Sequence, residues 1–137
     1  MLCHALDRDV QPLFALADAA GCDWDILALT RGAASGAFSG TLRARCLLLP
    51  GDSAPSLVRT LHALQIVAYG FSPRDTLTLS SVTGAERLVC LQRSLLTLGG
   101  TLLEPQELPL PPALSSLDAE QALLAAGISL LRCGKVS

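Results

Sequence analysis

The chain has 137 residues, half of them apolar and 16% charged, with a formal net charge of −2. Its length suits one domain with a core of its own, and its hydrophobicity excludes a disordered chain. The near-neutral charge gives no electrostatic footprint for nucleic acid or an anionic membrane, so neither is expected as a partner.

Of the ten basic residues only Lys135 is a lysine, which leaves the body of the chain without one for a phosphate loop or a Schiff base. The opening MLCHALDRDV is charged where a signal peptide would be apolar. The longest strongly apolar run, 122–131, is about half the roughly 20 residues of a membrane helix. A cytoplasmic protein is the expectation. Cys3, Cys22, Cys46, Cys90 and Cys133 are scattered, with no CxxC pair and no ligand spacing. They read as reduced structural thiols, and no metal site is expected.

In chain order, Asp9 can cap a first helix, with Pro12 in its first turn and Val10, Leu13, Phe14 and Ala17 at helical spacing. Gly21 stops it. Asp23-Trp24-Asp25 leads into Ile26-Leu27-Ala28-Leu29, too short for a helix and apolar throughout, hence a buried strand. Residues 31–41 are rich in Gly, Ala and Ser and read as a flexible loop or a frayed helix. Residues 45–49 (RCLLL) form the next strand. Ser53 caps the helix that follows, Pro55 lies in its first turn, and Leu57, Val58, Leu61 and Leu64 make one apolar stripe. Residues 66–69 (IVAY) return as a strand parallel to 45–49 through a right-handed crossover.

Residues 76–82 alternate Thr and Leu, as a half-exposed strand does, and Thr83-Gly84 turns the chain. Residues 87–91 and 95–98 are β-like, and Gly99-Gly100 makes a hairpin turn into 101–103. Residues 105–112 hold four prolines and read as an extended connector. A last helix over about 117–131 is capped by Ser115 or Ser116, and Gly127 permits close packing within it. The fold class is therefore α/β, a single domain over 1–137: a short, mostly parallel sheet with helices on its faces and an antiparallel edge hairpin.

Strand ends are where α/β proteins bind ligands, which singles out Asp52, Ser53, Tyr69, Arg74 and Asp75. Asp52 can hold a metal ion or a hydroxyl, or stabilise the dipole of the next helix. Ser53 and its neighbouring N–H groups can hold an anion, or Ser53 can serve as a plain N-cap. Tyr69 and Arg74 can stack on and pair with a small anionic ligand. The structural alternative is a β-turn in which Pro73 sets φ and Arg74 pairs with Asp75. In a right-handed βαβ unit all five residues gather at one sheet end. His62 falls off the apolar stripe of its helix and reads as solvated. Ser80 and Ser81 have no His or Lys placed to activate them. No catalytic residue is identified.

The order of these pieces resembles the central domain of Mur ligases, the bacterial amide-forming ATP enzymes of peptidoglycan synthesis. In that family a buried strand ends in an Asp-bearing turn, a helix follows, and the next strand ends in a Tyr/Phe-Gly pair. An antiparallel excursion, a Pro/Gly connector and an Ala-rich helix come next. The matching pieces here are Leu47-Leu48-Leu49-Pro50-Gly51-Asp52, Val67-Ala68-Tyr69-Gly70-Phe71, residues 88–103 and residues 119–128, within a likeness covering about 24–131. The family's phosphate loop needs GK[ST], and this chain has neither loop nor lysine for it. Thr30-Arg31-Gly32 stands where the family's Asn-x-Gly-x-Asp-His turn is expected, and its metal-site Glu has no counterpart. The resemblance thus implies a stripped half-domain without ATP machinery.

These features together predict a non-catalytic cytosolic binding or scaffold protein without a cofactor. A homodimer is expected, because a short sheet leaves an edge or face to cover. The alternative is a small enzyme or sensor that binds a nucleotide or other anionic metabolite at the strand C-terminal ends. Without phosphate loop or internal lysine, the chain should not bind ATP tightly. Isothermal titration with Mg-ATP should give no Kd below about 10 μM, which corresponds to ~6.8 kcal/mol.

Overall fold

The computed structural model describes residues 2–4, 10–12, 19–34, 40–53, 55–81 and 87–136, with backbone alone for 2–4, 10–12, 55, 56 and 81. The chain divides into two compact units, Met1–Ile66 and Val67–Ser137.

The first unit contains β1 (Leu2–His4), β2 (Val10–Pro12), β3 (Asp23–Ala28), α1 (Arg31–Ala34), β4 (Leu42–Pro50), α2 (Pro55–Val58) and most of β5 (Leu61–Tyr69). Its strand order is β2-β1-β3-β4-β5. β1 pairs antiparallel with both β2 and β3. β3 and β4 run parallel, with Asp23 beside Arg43 and Ile26 beside Cys46. The Leu42 N–H donates to the Thr60 carbonyl at 2.9 Å, so β4 and β5 start side by side and also run parallel, with Leu42 beside Leu61.

Apolar residues make these strands. β3 is buried on both faces after Asp23, as are the last five residues of β4. Trp24, Leu27, Leu29, Leu42, Leu47, Leu49, Leu57 and Leu61 form the core with Ala19 and Ala34. The Trp24 indole N–H donates to the Ala19 carbonyl at 2.9 Å, which satisfies its polar atom inside that core.

Three sequence expectations change here. Val10–Pro12 is a strand rather than the start of a helix; residues 13–18 lie outside the described set. The helix expected through Leu64 is one turn, Pro55–Val58, and Leu61 already opens β5. Its burial alternates from Leu61 to Gln65, with His62 and Leu64 outward, and Leu64 is 89% exposed. The Leu at 61 and 64 mimicked a helical stripe, but period 2 won because β4 offers a neighbouring strand to pair with. Consequently His62 lies on a strand, exposed as expected.

The second unit takes the end of β5, then β6 (Leu77–Ser81), β7 (Arg87–Leu91), β8 (Leu95–Leu96), β9 (Leu102–Leu103), β10 (Gln106–Pro109) and α3 (Ala119–Cys133). The strand order is β5-β6-β7-β10. β5 meets β6 in parallel at Tyr69 and Leu77, and β6–β7 and β7–β10 are antiparallel. The stretch read as a proline connector therefore supplies a strand, β10. β8 and β9 form the expected hairpin, with Gly100 at φ 91°, a conformation that favours glycine. Parallel pairs thus lie among β3 to β6, with antiparallel strands outside them, which is an α/β sheet. Among the described residues α3 is the one long helix, so the expected helices on the sheet faces reduce to it and two single turns.

α3 packs against β6 and buries Leu123, Leu124, Ala126, Ile128, Leu130 and Leu131. No helix among the described residues is long and apolar enough to cross a membrane. The α3 cap is Asp118, whose carboxylate accepts from the Gln121 N–H at 2.9 Å. Ser115 and Ser116 were expected in that role, but Ser115 turns its hydroxyl to the Pro112 carbonyl at 2.7 Å and closes a 3-10 turn. Gly134, at φ 75°, returns its N–H to the Leu130 carbonyl and ends the helix.

Cys22, Cys46, Cys90 and Cys133 are free thiols; the Cys3 side chain is outside the described set. Cys46 is buried and its thiol is pushed up in pKa by that burial, against the Gln65 amide that donates to it at 3.5 Å. It is an inert core thiol. Cys22 and Cys133 are exposed, so the structural role expected of them does not hold.

Asp118→Ala should cost about 1 kcal/mol of stability, read as a lower urea midpoint at unchanged slope. Ser116→Ala should stay within about 0.5 kcal/mol.

Candidate functional site

In the first unit the chain leaves β4 through Pro50, Gly51 and Asp52. The Asp52 carboxylate accepts both oxygens' worth of bonding from one Arg31 nitrogen, Nη1, at 2.8 and 2.7 Å. Arg31 opens α1, directly after β3. The pair ties the ends of two neighbouring parallel strands. The hydrogen bond from Arg31 holds the Asp52 carboxyl below the usual carboxylate range. Its contribution to stability is present above the unfolded carboxyl pKa and is lost as pH falls through the lowered folded value. Both side chains are well exposed, so the pair is worth at most ~1 kcal/mol.

Ser53 donates its hydroxyl to the Pro50 carbonyl at 2.6 Å, and its N–H reaches the same oxygen at 3.1 Å. The hydroxyl therefore closes the turn behind it rather than capping the helix ahead. With α2 only four residues long, no helix dipole of consequence faces Ser53.

Tyr69, Arg74 and Asp75 lie in the second unit. Tyr69 is fully buried in the core. Asp75 is 5% exposed, and its Oδ2 accepts from the Ser72 N–H at 3.0 Å. A Cβ built on Gly70 would stand 2.5 Å from that oxygen, so only glycine fits there. The Gln92 amide donates to the Ser72 and Asp75 carbonyls at 3.1 and 2.7 Å, and Arg93 Nε donates to the Arg74 carbonyl at 3.2 Å. Residues 70–76 thus form a turn held from inside by Asp75 and from β7's end by Gln92. Arg74 is exposed and pairs with no carboxylate among the described residues, so the expected Arg74–Asp75 pair does not form.

A different arrangement stands at the other end of the parallel strands. An open groove of about 510 Å³ is lined by Asp23 and Trp24 of β3, residues 43–45 of β4 and residues 61–64 of β5. The register brings Arg43 next to Asp23 on one side and next to His62 on the other. One pleat further, Arg45 stands beside Leu64. Arg45 Nη1 lies 3.6 Å from Asp25 Oδ1, and Asp25 is only 6% exposed. A half-exposed guanidinium is thereby anchored by a buried carboxylate, which fixes its direction. Two cationic forks and an imidazole share the lining with the exposed Leu64, while Trp24 and Leu61, also at the groove, turn their side chains into the core. No cluster of His, Cys, Asp and Glu among the described residues has the geometry of a metal site.

The sequence carries a signal for this groove. Asp-x-Asp at 23–25 and Arg-x-Arg at 43–45 are period-2 patterns, and on strands each puts like residues on one face. β4 begins at Leu42 rather than at the expected Arg45, so both arginines of the second pattern lie on the strand.

Gly70→Ala should destabilise the protein by about 1–3 kcal/mol, as overpacking does, while Arg74→Ala should stay within about 0.5 kcal/mol. Urea unfolding of both variants checks the contrast. No protein-family model, curated protein or solved structure matches the chain.

Proposed function

We propose that this chain is a non-catalytic binding module, and that it binds through the open groove where β3, β4 and β5 begin. One observation carries the reading: Leu64, 89% exposed on a regular strand, lines the same groove as Arg43 and Arg45. Ile66, two residues on, is 48% exposed. Burying a Leu or Ile side chain stabilises by roughly 1.5–3 kcal/mol, so apolar residues presented beside oriented cations favour a bound partner. The strand-end groups support the same reading, because Asp52 is engaged by Arg31, and Asp75 by its own turn.

Descent from a Mur ligase central domain remains part of the proposal, supported by the order of Asp-bearing turn, Tyr-Gly strand end and antiparallel excursion. A cytoplasmic location and a homodimer belong to it as well. Leu96 and Leu102, cross-strand neighbours on the β8–β9 hairpin, are 47% and 60% exposed and offer apolar surface for a second copy.

A thermal-shift screen of small metabolites tests the reading. A ligand at about 100-fold over its Kd should add roughly 2.7 kcal/mol. Leu64→Asp should abolish that gain while melting like the parent protein. A gain that survives Leu64→Asp but is lost in Asp52→Ala or Arg74→Ala would move the site to the strand C-terminal ends and favour the enzyme or sensor reading.

A further inference from the structure

We infer that the groove takes a small ligand with one oxyanion head, a carboxylate or a phosphate, on an apolar body. This rests on the binding-face reading above and names the chemistry of its ligand.

The charges decide the class. Asp25 lies behind the groove and offsets Arg45, with which it forms an ion pair. Arg43 has no ion pair among the described residues, and its strand neighbour Asp23 stays beyond ion-pair distance. The groove therefore offers one guanidinium outside any ion pair among the described residues, a second that is anchored but half exposed, and the exposed imidazole of His62. Guanidinium forks match the planar oxygens of a carboxylate or the paired oxygens of a phosphate, and charge-assisted bonds of this kind are the strong ones. Asp23 at the rim repels a second negative charge, which selects against polyanions such as nucleic acid.

Shape decides the body. Leu64 is the exposed apolar side chain of the lining, Trp24 and Leu61 being turned into the core, and about 510 Å³ falls within the range of small-molecule sites. The ligand head meets Arg43 and His62 while its body covers Leu64, which is otherwise the most exposed large apolar side chain described.

The experiment is a ¹⁵N–¹H NMR titration of the full chain with four probes. Phenyl phosphate and benzoate carry both head and body; inorganic phosphate is the head alone and benzyl alcohol the body alone. At least one headed probe should give saturable shifts confined to the amides of Asp23, Arg43, Arg45, His62 and Leu64, at concentrations up to about 1 mM. The preferred probe names the head. Arg43→Gln should weaken that probe about tenfold and leave the spectrum otherwise folded, because Arg43 is exposed. Equal binding by Arg43→Gln, or absence of saturable shifts with both headed probes, overturns the inference. Benzyl alcohol binding as tightly as the headed probes also overturns it, and in that case the binding face itself stands.

Discussion

Parallel pairing of β3, β4 and β5 sets what the first unit can do. Parallel strands start at one end and finish at the other, so each connection must travel back along the sheet. The described parts of those returns include α1 and α2, helices of four residues each. The same pairing aligns Asp23 with Arg43 and sets Leu42 beside Leu61. Once that register is fixed, alternation along each strand does the rest. Charged residues stand in rows across the first pleats, and the row beyond them is the buried Leu27 and Leu47. The groove marks the line at which burial on both faces stops.

The two ends of these strands spend their polar groups differently. After β4, and separately in the 70–76 turn of the second unit, they hold turns in place. Asp75 is buried, and leaving its carboxylate without a donor would cost several kcal/mol; the Ser72 N–H prevents that, and Gly70 makes room for it. Asp52 closes on Arg31, and Ser53 on Pro50. At the N-terminal ends the guanidiniums instead point into an opening. Arg45 is the clearest case, since its anchor Asp25 is buried and its own side chain is half exposed. A group held on one side and open on the other is prepared for contact.

Local signals in the sequence are legible where a local rule decides the outcome. β7 is the apolar run expected, and Gly99-Gly100 turns the β8–β9 hairpin, because glycine alone supplies the positive φ at little cost. The helix near the C-terminus was also legible, but its cap was placed two or three residues early, since the 3-10 turn at Pro112–Leu114 cannot be told from helix by composition. The stretch from Leu57 to Leu64 failed for a physical reason: two leucines three apart fit a helix face, and the spacing cannot weigh the ladder that β4 provides. Of the candidate site, Asp52 and Asp75 were identified as residues, but their partners were not. Arg31 lies 21 positions before Asp52, and no periodicity links residues that far apart.

β10 carries a further consequence. It pairs with β7 on one side, and within the second unit nothing follows it in the strand order. Such an outer strand is ordinarily a template on which another chain can lengthen the sheet. Pro105 precedes it, Pro109 ends it without an N–H to offer, and the exposed Glu107 places a charge in between. A newcomer strand would find gaps in its hydrogen-bond ladder and a carboxylate to desolvate. The proline run therefore works as a stopper against fibre-like growth at that margin, and steers any self-association toward side-chain surfaces instead of backbone.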